Sequence, residues 1–115
     1  MFRKGEDGRG YKELIEGISI KTLVYGKKTL TAKFQLRKGA NLPVHKHPHE
    51  QTGYLVSGKM EFTIGGERHL TEPGDSWCIG GNIHHSAEVL EDSVVIEVFS
   101  PLREDYLPDK LSNRN

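Results

Sequence analysis

Cys78 is the only cysteine in the chain. A lone thiol cannot close an internal disulfide, so packing must hold the fold, and a reducing, cytoplasmic setting is expected. A charge surplus is also missing: 16 Lys plus Arg balance 16 Asp plus Glu. A nucleic-acid-binding domain needs a basic excess on one face, so nucleic acid is not an expected partner. No apolar run approaches the ~20 residues that span a bilayer, and residues 1–8 lack the apolar centre of a secretory leader, which excludes a membrane role. No segment carries a convincing helical period, and there is no repeat, linker or low-complexity tract. At 115 residues the chain reads as one domain over 1–115, with residues 1–10 and 108–115 as loose termini.

What the chain has instead is short alternating segments separated by glycine. Residues 18–25 are β-branched and partly alternating, Gly26-Lys27-Lys28 marks a turn, and residues 29–36 alternate again. Met60, Phe62 and Ile64 share one strand face, and Gly65-Gly66 behind them suits a tight hairpin. Residues 94–99 form another candidate strand. Thirteen glycines and five prolines fit many tight turns. Periodicity therefore predicts an all-β protein, an antiparallel sandwich or small barrel.

Histidine is concentrated in two places. Five of the six histidines lie in His45-Lys46-His47-Pro48-His49 and His84-His85. Alternate residues of a strand face the same way, so His45, His47 and Gln51 can point together while Lys46 and Glu50 point away. His49 has the same parity, but Pro48 before it cannot pair in a central ladder and bends the chain. Neutral imidazole is the commonest side-chain ligand for transition metals. Two same-face histidines, a third polar ligand and a distant histidine would form a mononuclear centre with open positions.

The spacing resembles the cupin family. Gly39, His45, His47, position 51 and Gly58 follow the first cupin motif, and Pro73-Gly74-Asp75 with His85 follow the second. Gln51 stands where that motif most often has Glu, with Glu50 and His49 as alternative ligands. The resemblance implies a jelly roll, or double-stranded β-helix barrel, holding one divalent transition metal ion (Zn, Ni, Mn or Fe) on His45, His47, Gln51 and His85. It also implies a homodimer paired through residues 11–36. With three imidazoles and an amide, the ion would keep its full charge and favour a carboxylate-bearing ligand. His84 is expected to face away from the ion, Trp77 to pack in the core, and Cys78 to be a small buried apolar residue.

The tail from Glu97 to Leu107 resembles the ending of a cupin subgroup that linearises unsaturated uronates from pectin and alginate breakdown. Carried over residue by residue, Phe99 and Arg103 match the substrate-binding Phe and Arg of that subgroup. Glu97 stands at its acid position, which is Asp there. The implied function is ring opening of a small anionic sugar acid, with Glu97 and Arg103 catalytic and Phe99 and Arg103 binding substrate. The alternatives are a non-enzymatic small-molecule-binding cupin and a metal-dependent dioxygenase.

Overall fold

The computed structural model describes residues 1–5 and 10–112. Eight strands make one continuous antiparallel system: β1 (Lys12–Ile15), β2 (Ile18–Tyr25), β3 (Leu30–Leu36), β4 (Asn41–His45), β5 (Glu50–Ile64), β6 (Glu67–Thr71), β7 (Ser76–Ile79) and β8 (His85–Ser100). The hydrogen-bonded order is β1-β2-β3-β8-β5-β6, with β4 added along β8 and β7 along β5. Alternation and β-branching thus produce the expected all-β architecture, and β2 begins and ends where its residue pattern does.

β5 and β8 are the spine, with 15 and 16 residues. Their length lets each serve two leaves. The C-terminal half of β8 pairs with β3 and the N-terminal half with β4; β5 pairs with β7 at its start and with β6 at its end. The crossover needs a bend, and the β5–β8 register shifts between Leu55 and Met60. Gly58 lies inside that bulge with φ +98°, and a Cβ there would fall 2.1 Å from Ser93 Oγ. The motif glycine is required by backbone geometry. Ser93 Oγ in turn accepts from the Lys59 N–H at 3.0 Å, which ties the bulge shut. The turn after Ile64 has positive φ at both Gly65 and Gly66, as a two-residue hairpin requires.

The core fills the space between the leaves. Leu55, Met60, Phe62, Ile79, Ala87 and Val95 form one buried cluster; Ile20, Leu30, Ala32, Phe99 and Leu111 form another toward the tail. Each large side chain so buried contributes about 1.5–3 kcal/mol. Two expectations are corrected here. Residues 108–111 are not loose: Pro108–Leu111 is a short helix, α1, and Leu111 is 5% exposed in the second cluster. A 3₁₀ turn, Glu104–Tyr106, precedes it. Neither piece is long enough to show a helical period. Cys78 is not buried either. β7 turns Trp77 inward and leaves Cys78 exposed, its Sγ donating to Glu50 Oε1 at 3.5 Å. Among the described residues no helix is long and apolar enough to cross a membrane. Of the expected loose lead-in, residues 1–5 are exposed and carry no regular structure, and residues 6–9 lie outside the described ones.

Candidate metal centre

His45 closes β4 and His85 opens β8, and the two are direct cross-strand partners. Their ring centroids lie 4.1 Å apart. His47 follows on the link to β5, 5.0 Å from His85 and 5.8 Å from His45 by ring centroid. One ring nitrogen from each lies within 4.8 Å of the others, and these three residues form a group able to hold a metal ion. Ligands at ~2.1 Å from a shared ion sit roughly 3–4 Å apart, which small ring rotations supply.

Hydrogen bonding fixes which nitrogens converge. His45 Nδ1 meets Pro43 O at 2.9 Å, His47 Nδ1 meets His49 O at 3.0 Å, and His85 Nδ1 meets Ile83 O at 2.9 Å. A carbonyl only accepts, so each Nδ1 carries the proton and each Nε2 keeps a lone pair. His47 Nε2 is buried with no hydrogen-bond partner. Burial lowers the pKa of His47, with Arg103 adding to the effect, and lowers that of His85 to about 4. The His47 and His85 rings are therefore neutral near pH 7 and ready to ligate. Three aligned lone pairs, one of them orphaned, fit a divalent transition metal.

Parity survives the Pro48 bend. Gln51 is 5% exposed and faces His47, whereas Glu50 is exposed on the outer face beside Cys78. His49 contributes its backbone carbonyl to His47, while its ring stands 5.6 Å from the His47 ring and its Nδ1 is buried without a partner. The His84 side chain is exposed.

The tail closes over the same space. A cavity of about 300 Å³ is lined by His45, His47, Gln51, His85, Glu97, Phe99 and Arg103, together with Asp105 and Tyr106. Its inner wall is apolar, including Phe34, Leu36, Leu42, Phe62 and Val95. Gln51 Nε2 donates to Glu97 Oε2 at 2.6 Å. Glu97 is buried, and that burial pushes its carboxyl up to about 8, against the opposing pull of Gln51 and, more weakly, Trp77. Arg103 lies over the rings of Tyr106, at 4.2 Å, and Phe99, at 5.4 Å. Its Nε and Nη2 donate to Asp105 Oδ1 and Oδ2 at 2.9 and 2.7 Å. Burial alone would weaken the guanidinium charge, but Asp105 and Tyr106 outweigh it.

Comparison with known proteins agrees. A cupin-domain family model matches residues 32–99. The chain belongs to the cupin family. It is 34% identical to the pectin degradation protein KdgF of Dickeya dadantii over 104 residues, covering 89% of this chain and 94% of the relative. The structure of KdgF from Halomonas sp. superposes with a TM-score of 0.81 at 33% identity, covering 84% of this chain and 90% of that one. An RmlC-like cupin from Shewanella frigidimarina superposes with a TM-score of 0.85 at 25% identity, covering 93% and 97%.

All seven expected site residues of this cupin line one cavity. Sequence reasoning did not assign Asp105 and Tyr106 to it. Both lie in the tail segment, two and three residues beyond Arg103. Trp77 packs edge-to-face on Phe62 at 5.1 Å, as a core residue.

Proposed function

We propose that this cupin opens the ring of a 4,5-unsaturated uronate to its linear keto form. The observation that carries the reading is the convergence, in one cavity, of three imidazole nitrogens, a buried carboxyl and a charged guanidinium. The two KdgF relatives support the substrate class. His45, His47, Gln51 and His85 would hold the divalent ion, which supplies Lewis-acid polarisation of bound oxygens.

The reaction conserves its atoms. The ring C1–O bond breaks, the C1 hydroxyl loses a proton, and C4 of the enol gains one as the ketone forms at C5. Glu97, whose burial favours the protonated carboxyl, serves as the acid that delivers a proton to C4. The same carboxylate then recovers a proton from the C1 hydroxyl. Arg103 pairs with the substrate carboxylate, and Phe99 and Tyr106 keep its guanidinium flat against the wall. The apolar inner wall excludes water from the reacting enol.

The test is direct. Metal-loaded protein mixed with an unsaturated uronate should bleach its conjugated chromophore and yield the linear ketone by NMR. An unchanged chromophore and no binding would end the reading.

Two further parts belong to this proposal. β1 is an edge of the sheet, which supports pairing of two copies through residues 11–36. An exposed free thiol at Cys78 supports residence in the reducing cytoplasm.

A further inference from the structure

Gln51 is an amide among imidazoles. An amide ligates a cation through oxygen only, and its two ends have the same shape. Hydrogen bonding must decide which end faces the histidines. Its Nε2 donates to Glu97 Oε2 at 2.6 Å, and both side chains are buried, at 5% and 7% exposure. Gln51 pairs with Phe99, and Gly53 with Glu97, so the two side chains are diagonal neighbours across β5 and β8. A reversed amide would give up the Nε2 to Glu97 Oε2 bond and turn an NH₂ group, which has no lone pair for a cation, toward the ion.

Glu97 is itself supported from the far side. Gly53 is also the partner of Trp77 on β7. A Cβ on Gly53 would lie 2.3 Å from both Trp77 Nε1 and Cε2, so the indole rests on bare backbone at that position. Trp77 Nε1 is buried without a hydrogen-bond partner, and Glu97 is the buried residue that flanks Gly53 on its other side, so the indole and the carboxyl face each other across a residue without a side chain. Every other residue type at position 53 would push the indole off this seat.

We infer that Glu97 is a positioning residue for the metal centre: it grips the Gln51 amide nitrogen, turns the amide oxygen toward His45, His47 and His85, and is itself backed by Trp77 seated over Gly53. This role is separate from proton transfer and rests on the reading that these histidines and Gln51 hold a metal ion. Groups that orient a metal ligand in this way typically contribute 10- to 100-fold in affinity.

Co(II) is the probe, because its visible absorption reports ligand number and geometry without turnover. Metal-free protein is titrated, and affinity and spectrum are read together. Glu97→Met, close in volume but lacking an oxygen acceptor, should bind Co(II) at least about tenfold more weakly with an altered spectrum. Glu97→Gln keeps an acceptor oxygen and should restore both. In a Gln51→Ala background, Glu97→Met should change affinity no further, because no amide remains to be turned. Trp77→Phe keeps the ring and loses the N–H; it should weaken binding severalfold, and it carries the test if Glu97→Met fails to fold. Wild-type affinity in Glu97→Met, or an equal loss with and without Gln51, would overturn the inference alone. Wild-type protein that takes up no Co(II) would overturn the metal reading and the inference together.

Discussion

Arg103 and Asp105 form a two-point ion pair inside a three-residue stretch, with Nε to Oδ1 at 2.9 Å and Nη2 to Oδ2 at 2.7 Å. The Arg103 side chain is 15% exposed and that of Asp105 is 52% exposed. The guanidinium is thus already facing one carboxylate when a second arrives. Stacking on Tyr106 and Phe99 holds it in place independently of Asp105.

Arg103→Ala should therefore weaken uronate binding by about tenfold or more with metal content unchanged, since a charge-assisted contact of roughly 2–5 kcal/mol is lost. Arg103→Lys should restore little, because an ammonium cannot copy the planar fork. Asp105→Asn removes a competing charge at the exposed end and should tighten binding severalfold, in line with roughly 1 kcal/mol or less for such a pair. Calorimetric titration with an unsaturated uronate measures all three. Weaker binding by Asp105→Asn would mean that Asp105 positions the fork and does not compete for it.

Removing one imidazole should empty the site and leave the barrel standing. His47 is half-buried and lies outside the strands, so His47→Ala should keep the β-sheet circular dichroism. Elemental analysis of protein purified without a His tag should show a sharp drop in metal. Wild-type stoichiometry in this variant would place the ion elsewhere.

Gln51 and Glu50 make opposite predictions although they are adjacent. Gln51→Ala should weaken metal retention, and Glu50→Ala should hardly change it, because Glu50 faces outward beside Cys78. Gln51→Glu should tighten the ion by adding a negative ligand and lower affinity for an anionic substrate. Dissociation constants from chelator competition decide the matter; a shift in Glu50→Ala alone would contradict the inward placement of Gln51.

The metal-free protein should lose stability as pH rises. The folded Glu97 carboxyl sits at about 8, against 4.5 for the ordinary group, so the folded state holds a proton that the unfolded chain releases. Stability is then full below about pH 4.5, declines across the interval up to about 8, and levels off above it, with a loss on the order of a few kcal/mol. His85, lowered to about 4, acts in the opposite sense over the more acidic interval between about 4 and 6.5. Comparing urea midpoints of wild type and Glu97→Gln isolates the carboxyl: the decline above pH 6.5 should flatten in the variant. Parallel curves would show that Glu97 ionises normally.

Which of these side chains face inward was legible because their placement obeys a short rule. Parity puts His45, His47 and Gln51 on one side, and it holds across Pro48 because β5 restarts at Glu50 in the same phase. The motif glycine at position 58 and the Gly65-Gly66 turn could be read for a similar reason, since positive φ leaves a mark in sequence. Cys78 could not be placed, because a four-residue strand carries too little pattern to say which face is inside. Leu111 and Tyr106 were missed because their helical turns are held by docking onto Phe34, Phe99 and Leu30, contacts distant in sequence. Trp77 over Gly53 is a relation between two strands that neither residue announces alone.

The pairing of His45 with His85 across β4 and β8 has a consequence for the life of the protein in a cell. These two residues are forty positions apart in the chain: His47 and Gln51 lie close to His45 in sequence, but His85 joins them only when β8 pairs with β4. The unfolded chain therefore lacks the complete set, keeping only the local histidines of residues 45–49, and an ion that needs all four groups binds the native state more tightly. At a hundredfold excess over its dissociation constant such an ion adds at most about 2.7 kcal/mol to folding, less whatever the local histidines bind in the unfolded chain. Metal starvation would then act on abundance as well as activity, by enlarging the unfolded fraction open to proteases.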